Sequence, residues 1–133
     1  MSAKDFAELS RALVDVARSL IEKQGGFSPF AMTMDEGGGV AMFLADTGVG
    51  MPKASDLLVF LSAALRAMAT GGKIRAWGIC SNVSARLTGY AGRVDAICCQ
   101  LEHSGDQSVQ IFVPFRKTQS DLWEYDRPVA LRG

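Results

Sequence analysis

The sequence has no surplus of charge. Its 14 basic residues balance 14 acidic ones, and it holds a single histidine. A chain without net charge is not drawn to nucleic acid or anionic lipid by long-range electrostatics, so neither is expected as a partner. Cysteine is scarce. Three residues, an odd count, with Cys98 and Cys99 adjacent, exclude a disulfide framework and suit a reducing compartment. Long apolar runs are missing too. The most apolar stretch, residues 57–65, contains Ser62 and is too short to span a bilayer. Lys4, Asp5, Glu8 and Arg11 put charge where a secretory signal would be apolar. A cytoplasmic location away from membranes is therefore expected. Asparagine occurs once, in Asn82-Val83-Ser84, a glycosylation pattern without meaning in the cytosol.

What the chain does have is 48% apolar residues in a length of 133, enough for a single core without a metal or disulfide. A first helix is expected from about Lys4 to Lys23. Phe6, Leu9, Leu13, Val16 and Leu20 recur three and four residues apart, and Gly25-Gly26 end the run. Phe27 to Met34 and Val40 to Ala45 read as a hairpin around Asp35-Glu36-Gly37-Gly38. A second helix follows from about Pro52 or Ser55 to Thr70, closed by Gly71-Gly72. Ile74 to Ser81, Arg93 to His103 and Gln107 to Phe115 read as three strands. The last two are joined by a turn at Ser104-Gly105-Asp106.

The expected fold is α+β: a five-stranded antiparallel sheet with two main helices, in the order α-β-β-α-β-β-β. Residues 1–116 form the domain and residues 117–133 a C-terminal tail. The last three strands are apolar on both faces, which a sheet wetted on one side would not be. Either each helix covers one face, or both lie on one face and a second copy covers the other. The second arrangement is the one expected, and it implies a homodimer.

Few residues suggest chemistry. Asp46-Thr47-Gly48-Val49-Gly50-Met51 resembles the adenine-binding box of the Bergerat-type ATPases, the fold of gyrase and histidine kinases. The resemblance implies Asp46 as acceptor for the adenine amino group, with Gly48 and Gly50 giving the nucleotide close access to backbone. That family also needs an upstream helix with a Glu and a metal-binding Asn, and the lone Asn82 lies downstream. A turn from strand to helix accounts for the same residues. Cys80, Cys98 and Cys99 lie within strands, where free thiols behave as small core groups. Cys99 and His103 are roughly 13 Å apart along one strand, too far for proton transfer. No zinc-ligand spacing is present. No catalytic residue, metal or cofactor is expected.

Asp95 shares a strand face with Ile97 and Leu101. A partly buried carboxylate there would need Arg75, Arg86 or Arg93 as a partner. The segment from Ser84 to Arg93 reads as a loop whose Arg86, Tyr90 and Arg93 could meet an anion or a protein. Trp123 and Tyr125 could anchor the tail on the body or on a second copy.

Several stretches together resemble a group of small bacterial proteins without assigned function. They run from Ile21-Glu22-Lys23 to Phe27-Ser28-Pro29-Phe30-Ala31, then Lys73 to Val83, Val94-Asp95-Ala96-Ile97, Leu101-Glu102-His103 and Val113-Pro114-Phe115. The element order is also similar to roadblock-type domains, which dimerise through their sheets and act as scaffolds. The resemblance implies a binding or scaffolding role, and the function expected is that of a non-enzymatic, homodimeric interaction, scaffold or ligand-binding module. The alternative is a nucleotide-binding protein using Asp46, Gly48 and Gly50.

Overall fold

A computed structural model of the chain describes residues 2–43, 53–104 and 108–132. Helix α1 spans Ser2–Gln24. Leu9, Leu13, Ala17 and Ile21 are fully buried on one stripe. The helix ends where Gly25, at φ 84°, donates its N–H to Ile21 O at 2.8 Å, a left-handed stop that glycine adopts without strain. Strands β1 (Phe30–Met34) and β2 (Val40–Phe43) form the expected hairpin. Asp35 shapes its turn by accepting the N–H groups of Gly37 and Gly39 on Oδ1 at 2.9 and 2.8 Å. Helix α2 covers Ala54–Thr70. Strands β3 (Ala76–Arg86), β4 (Arg93–His103), β5 (Ser108–Lys117), β6 (Trp123–Tyr125) and β7 (Val129–Arg132) follow.

The fold is α+β with two helices and an antiparallel sheet, but the described residues form seven strands rather than five. The order is β2-β1-β3-β4-β5-β6, with β7 also paired to β5. The two extra strands come from the expected tail, whose residues 123–125 and 129–132 both hydrogen-bond to β5. A second difference is the reach of β3. Its ladder with β4 continues from Ala76 opposite His103 to Arg86 opposite Arg93, so the expected loop shortens to residues 87–92. Ladder hydrogen bonds need only backbone, and the polar residues Asn82 and Ser84 point into solvent.

The helices take opposite faces. Helix α1 packs with Met34, Cys80, Ile97, Cys99, Leu101 and Phe115. Leu61 and Leu65 of α2 pack with Ala31, Ile74, Trp77 and Ile79. The reason that sequence offered for a second copy, two helices on one face, therefore does not hold. Gly78, the third residue of β3, sets the approach of α1. A β-carbon there would stand 2.5 Å from Leu13 Cδ1 and 2.7 Å from Leu101 Cδ2. Among the described residues no helix is long and apolar enough to cross a membrane.

Candidate functional site

Helix α2 is the most unusual element of the surface. Between Ala54 and Thr70 it has two charged side chains, Asp56 and Arg66. Leu57, Leu58, Leu61, Leu65 and Met68 face the sheet. The opposite stripe, at three- and four-residue spacing, reads Asp56, Val59, Phe60, Ala63, Arg66 and Ala67, and all six are exposed. Val59 is 71% exposed and Phe60 38%. A helix apolar all round is normally buried all round. Next to this stripe runs a groove of about 390 Å³ between Leu58, Val59 and Ala63 on one side and Ile79 and Gln100 on the other.

The residues singled out in the sequence fall into two groups. Tyr90 and Tyr125 are tied into the body. Tyr90 Oη donates to Asp126 Oδ2 at 2.6 Å, and Arg116 Nη1 donates to the same carboxylate at 3.2 Å. The hydrogen bond to Asp126 and partial burial raise the Tyr90 phenol. The same hydrogen bond, helped by Arg116, lowers Asp126. Loop and tail are thus brought together, held by each other. Tyr125 Oη donates to Glu22 Oε2 at 2.9 Å, and the Arg18 guanidinium lies 4.1 Å above its ring. Burial, with Glu22 beside it, pushes the Tyr125 phenol up to about 12. Trp123 packs on Phe115 at 6.0 Å between ring centroids, with Lys117 Nζ 5.5 Å from its ring. The aromatic tail anchors on its own chain.

Arg86, Arg93 and Asp95 stay at the far end of the β3–β4 hairpin. Arg86 and Arg93 are cross-strand partners, an unfavourable pairing of like charges. Arg93 turns away to Ser84, donating to its carbonyl at 2.6 Å and its Oγ at 3.2 Å. Asp95, expected to be partly buried against an arginine, is exposed and has no ion-pair partner among the described residues. The hairpin projects past the cover of α1 at this level, so the face that buries Ile97 and Leu101 no longer buries position 95. Asp46, Gly48 and Gly50 lie outside the described residues.

The thiols are core groups. Cys80 and Cys99 face each other across β3 and β4 at 3.9 Å between sulfurs. Burial and the neighbouring thiol raise Cys80. Burial, with Cys99 adjacent, pushes Cys98 up to about 11, the wrong direction for a nucleophile.

The sequence reading missed a polar cluster at the other end of the sheet. Asp5, buried in the first turn of α1, accepts from Arg75 Nη2 on Oδ1 and meets His103 Nε2 on Oδ2, each at 3.0 Å. Arg75 Nη1 also donates to Glu36 O at 2.8 Å. Burial would raise the Asp5 carboxyl, but the hydrogen bonds and charges of Arg75 and His103 outweigh it and hold it below its ordinary range. The signal was available: Asp5 precedes Leu9 and Leu13 at four-residue spacing, so an acid sat on the apolar stripe. Among the described residues no group of three or more His, Cys, Asp or Glu side chains is placed to hold a metal ion.

No protein-family model, curated protein or solved structure matches this chain.

Proposed function

We propose that this protein is a non-enzymatic interaction module that works as a homodimer, paired through the outer stripe of α2. The exposed stripe of Val59, Phe60 and Ala63 supports this reading, because adjoining apolar side chains on one exposed helix face gain free energy when another surface covers them. A second copy is the partner that its charges favour. Asp56 and Arg66 flank the apolar centre of the stripe, ten residues apart. Two α2 helices packed antiparallel about a twofold axis place Asp56 of each copy against Arg66 of the other, with Val59, Phe60 and Ala63 between. A stripe with one acid at one end and one base at the other is complementary to itself. Three cysteines without a disulfide suit the reducing cytoplasm as the place of work.

Light scattering across a dilution series tests the proposal. The expected result is a mass of twice the chain that falls towards one chain on dilution. Phe60→Glu, at an exposed site, should leave the circular dichroism spectrum unchanged and give the single-chain mass throughout. A wild-type protein monomeric at about 100 µM would overturn the reading, since a pair that weak could not form at ordinary cellular concentrations.

A further inference from the structure

The β3–β4 hairpin carries an open strand edge. Strand β1 pairs with β3 only as far as Phe30 opposite Cys80, while β4 pairs with it as far as Arg86. The outer side of residues 81–86, about 20 Å long at strand rise, has no strand partner among the described residues.

Register says which groups this edge offers. Asp35 N–H donates to Gly39 O at 2.9 Å, in line with the β1–β2 register. Backbone groups alternate sides along a strand, so Met34, Met32 and Phe30 turn theirs to β3, and Ala76, Gly78 and Cys80 turn theirs to β1. Ser104 N–H donates to Arg75 O at 2.8 Å, the same alternation seen from the β4 side. Carried onward, it points the N–H and C=O groups of Asn82, Ser84 and Arg86 outward. Of these, the Ser84 carbonyl is met by Arg93 Nη2 at 2.6 Å.

Protein edges are commonly guarded by proline, a bulge, a charged side chain or a covering element. Ser81-Asn82-Val83-Ser84-Ala85 has no proline and no charge, and the ladder to β4 runs on to Arg86 without a bulge. Its side chains are short, so the backbone stays within reach. The charge comes at the end. Arg86 and Arg93 stand side by side, and the bond to Ser84 brings the Arg93 guanidinium to the edge. Arg86 has no ion pair among the described residues. Asp95 faces the same side one strand further in, opposite Ser84, and leaves this end net positive.

We propose that the outer side of residues 81–86 takes an extended segment of another protein as an added strand, with an acidic side chain opposite Arg86. Asn82, Ser84 and Arg86 bond its backbone, and the two arginines select its charge. A second copy fits less well. Its own residues 81–86 hold no acid and would bring a further arginine to the edge. The site is separate from the α2 stripe and stands without the pairing proposed there.

A phage library of random linear octapeptides, panned on the full chain, tests this. The segments recovered should carry an acid and lack proline. Made as synthetic peptides, they should slow exchange of the amide protons of residues 82, 84 and 86, read in ¹H–¹⁵N spectra. Ser84→Pro removes one outward N–H and leaves the bonds to β4 in place. It should weaken binding about tenfold with the circular dichroism spectrum unchanged. Arg86→Glu should weaken the same peptides about as much and select basic segments from the library instead. Phe60→Glu should leave binding as it was. Overturning results are a library that returns no segment binding below about 100 µM, segments without an acid, or binding that Ser84→Pro leaves unchanged. A wild-type dimer that Ser84→Pro takes apart, and Phe60→Glu does not, would put a second copy at this edge and also overturn the proposal.

Discussion

The carboxylate of Asp5 lies 3.0 Å from Nε2 of His103, across 98 residues of sequence. That contact joins the first turn of α1 to the last residue of β4, and Arg75 at 3.0 Å extends it to the approach of β3. Three distant segments thus meet on one buried acid. Asp5→Ala strands a guanidinium and an imidazole and should lower stability by about 1–3 kcal/mol, read as a lower urea midpoint at unchanged slope.

The same pair of proteins should show a defined pH dependence. The Asp5 carboxyl is held below its ordinary range in the folded protein, so its contribution is complete above the unfolded-state value near pH 3.9. It is lost as pH falls through the lower folded value. The stability gap between wild type and Asp5→Ala should close as pH falls below about 4. A gap that failed to close on strong acidification would mean that Asp5 is not held as its ionised form.

Gly78→Ala should destabilise without changing the fold. The added methyl would meet Leu13 and Leu101, both fully buried, so neither side chain can yield into solvent. Overpacking of this kind costs about 1–3 kcal/mol, and a thermal melt would show it. Leu13→Ala in the Gly78→Ala background should recover part of the loss relative to its effect alone, because the two share one contact.

The thiols should be silent in the native state. Cys98 is pushed up to about 11, and Cys80 is raised further by burial and by Cys99. A thiol-specific disulfide reagent at pH 8 should label none of the three at the rate of a free cysteine, and all three after unfolding. Rapid labelling of one in the folded chain would show a sulfur that water reaches.

Charge exchange along α2 tests the geometry of the proposed pair. Asp56→Arg opposes like charges at both ends of the stripe and should weaken association about tenfold. Adding Arg66→Asp should restore it. A parallel arrangement would respond differently, because the double variant would place each acid opposite an acid and each base opposite a base, as wild type does.

Sequence patterning reached the elements whose side chains decide their position. The stripe from Leu9 to Ile21 gave α1, and β4 runs from Arg93 to His103 as its apolar run between turn residues predicts. It failed where backbone decides. Residues 82–86 continue β3 with only alternating small and polar side chains, and the three residues of β6 are too few to show a period. The candidate surfaces divide in the same way. The apolar run of α2 was visible, but which of its sides would face water was not. That depends on α1 already occupying the other face of the sheet. The open edge of residues 81–86 depends on β1 starting at Phe30 rather than Phe27, which the apolar residues of that stretch do not show.

Both short C-terminal strands hydrogen-bond to β5 and leave that margin of the sheet in pieces of four and three residues. Cross-β growth needs two long open flanks, one to receive a strand and one to offer the next. Residues 123–125 and 129–132 cover one of these flanks. Among the described residues the opposite flank is β2, four residues long, with the outer side of residues 81–86 of β3 beyond the reach of β1. Strand β5, ten residues long, is thereby denied to a foreign strand.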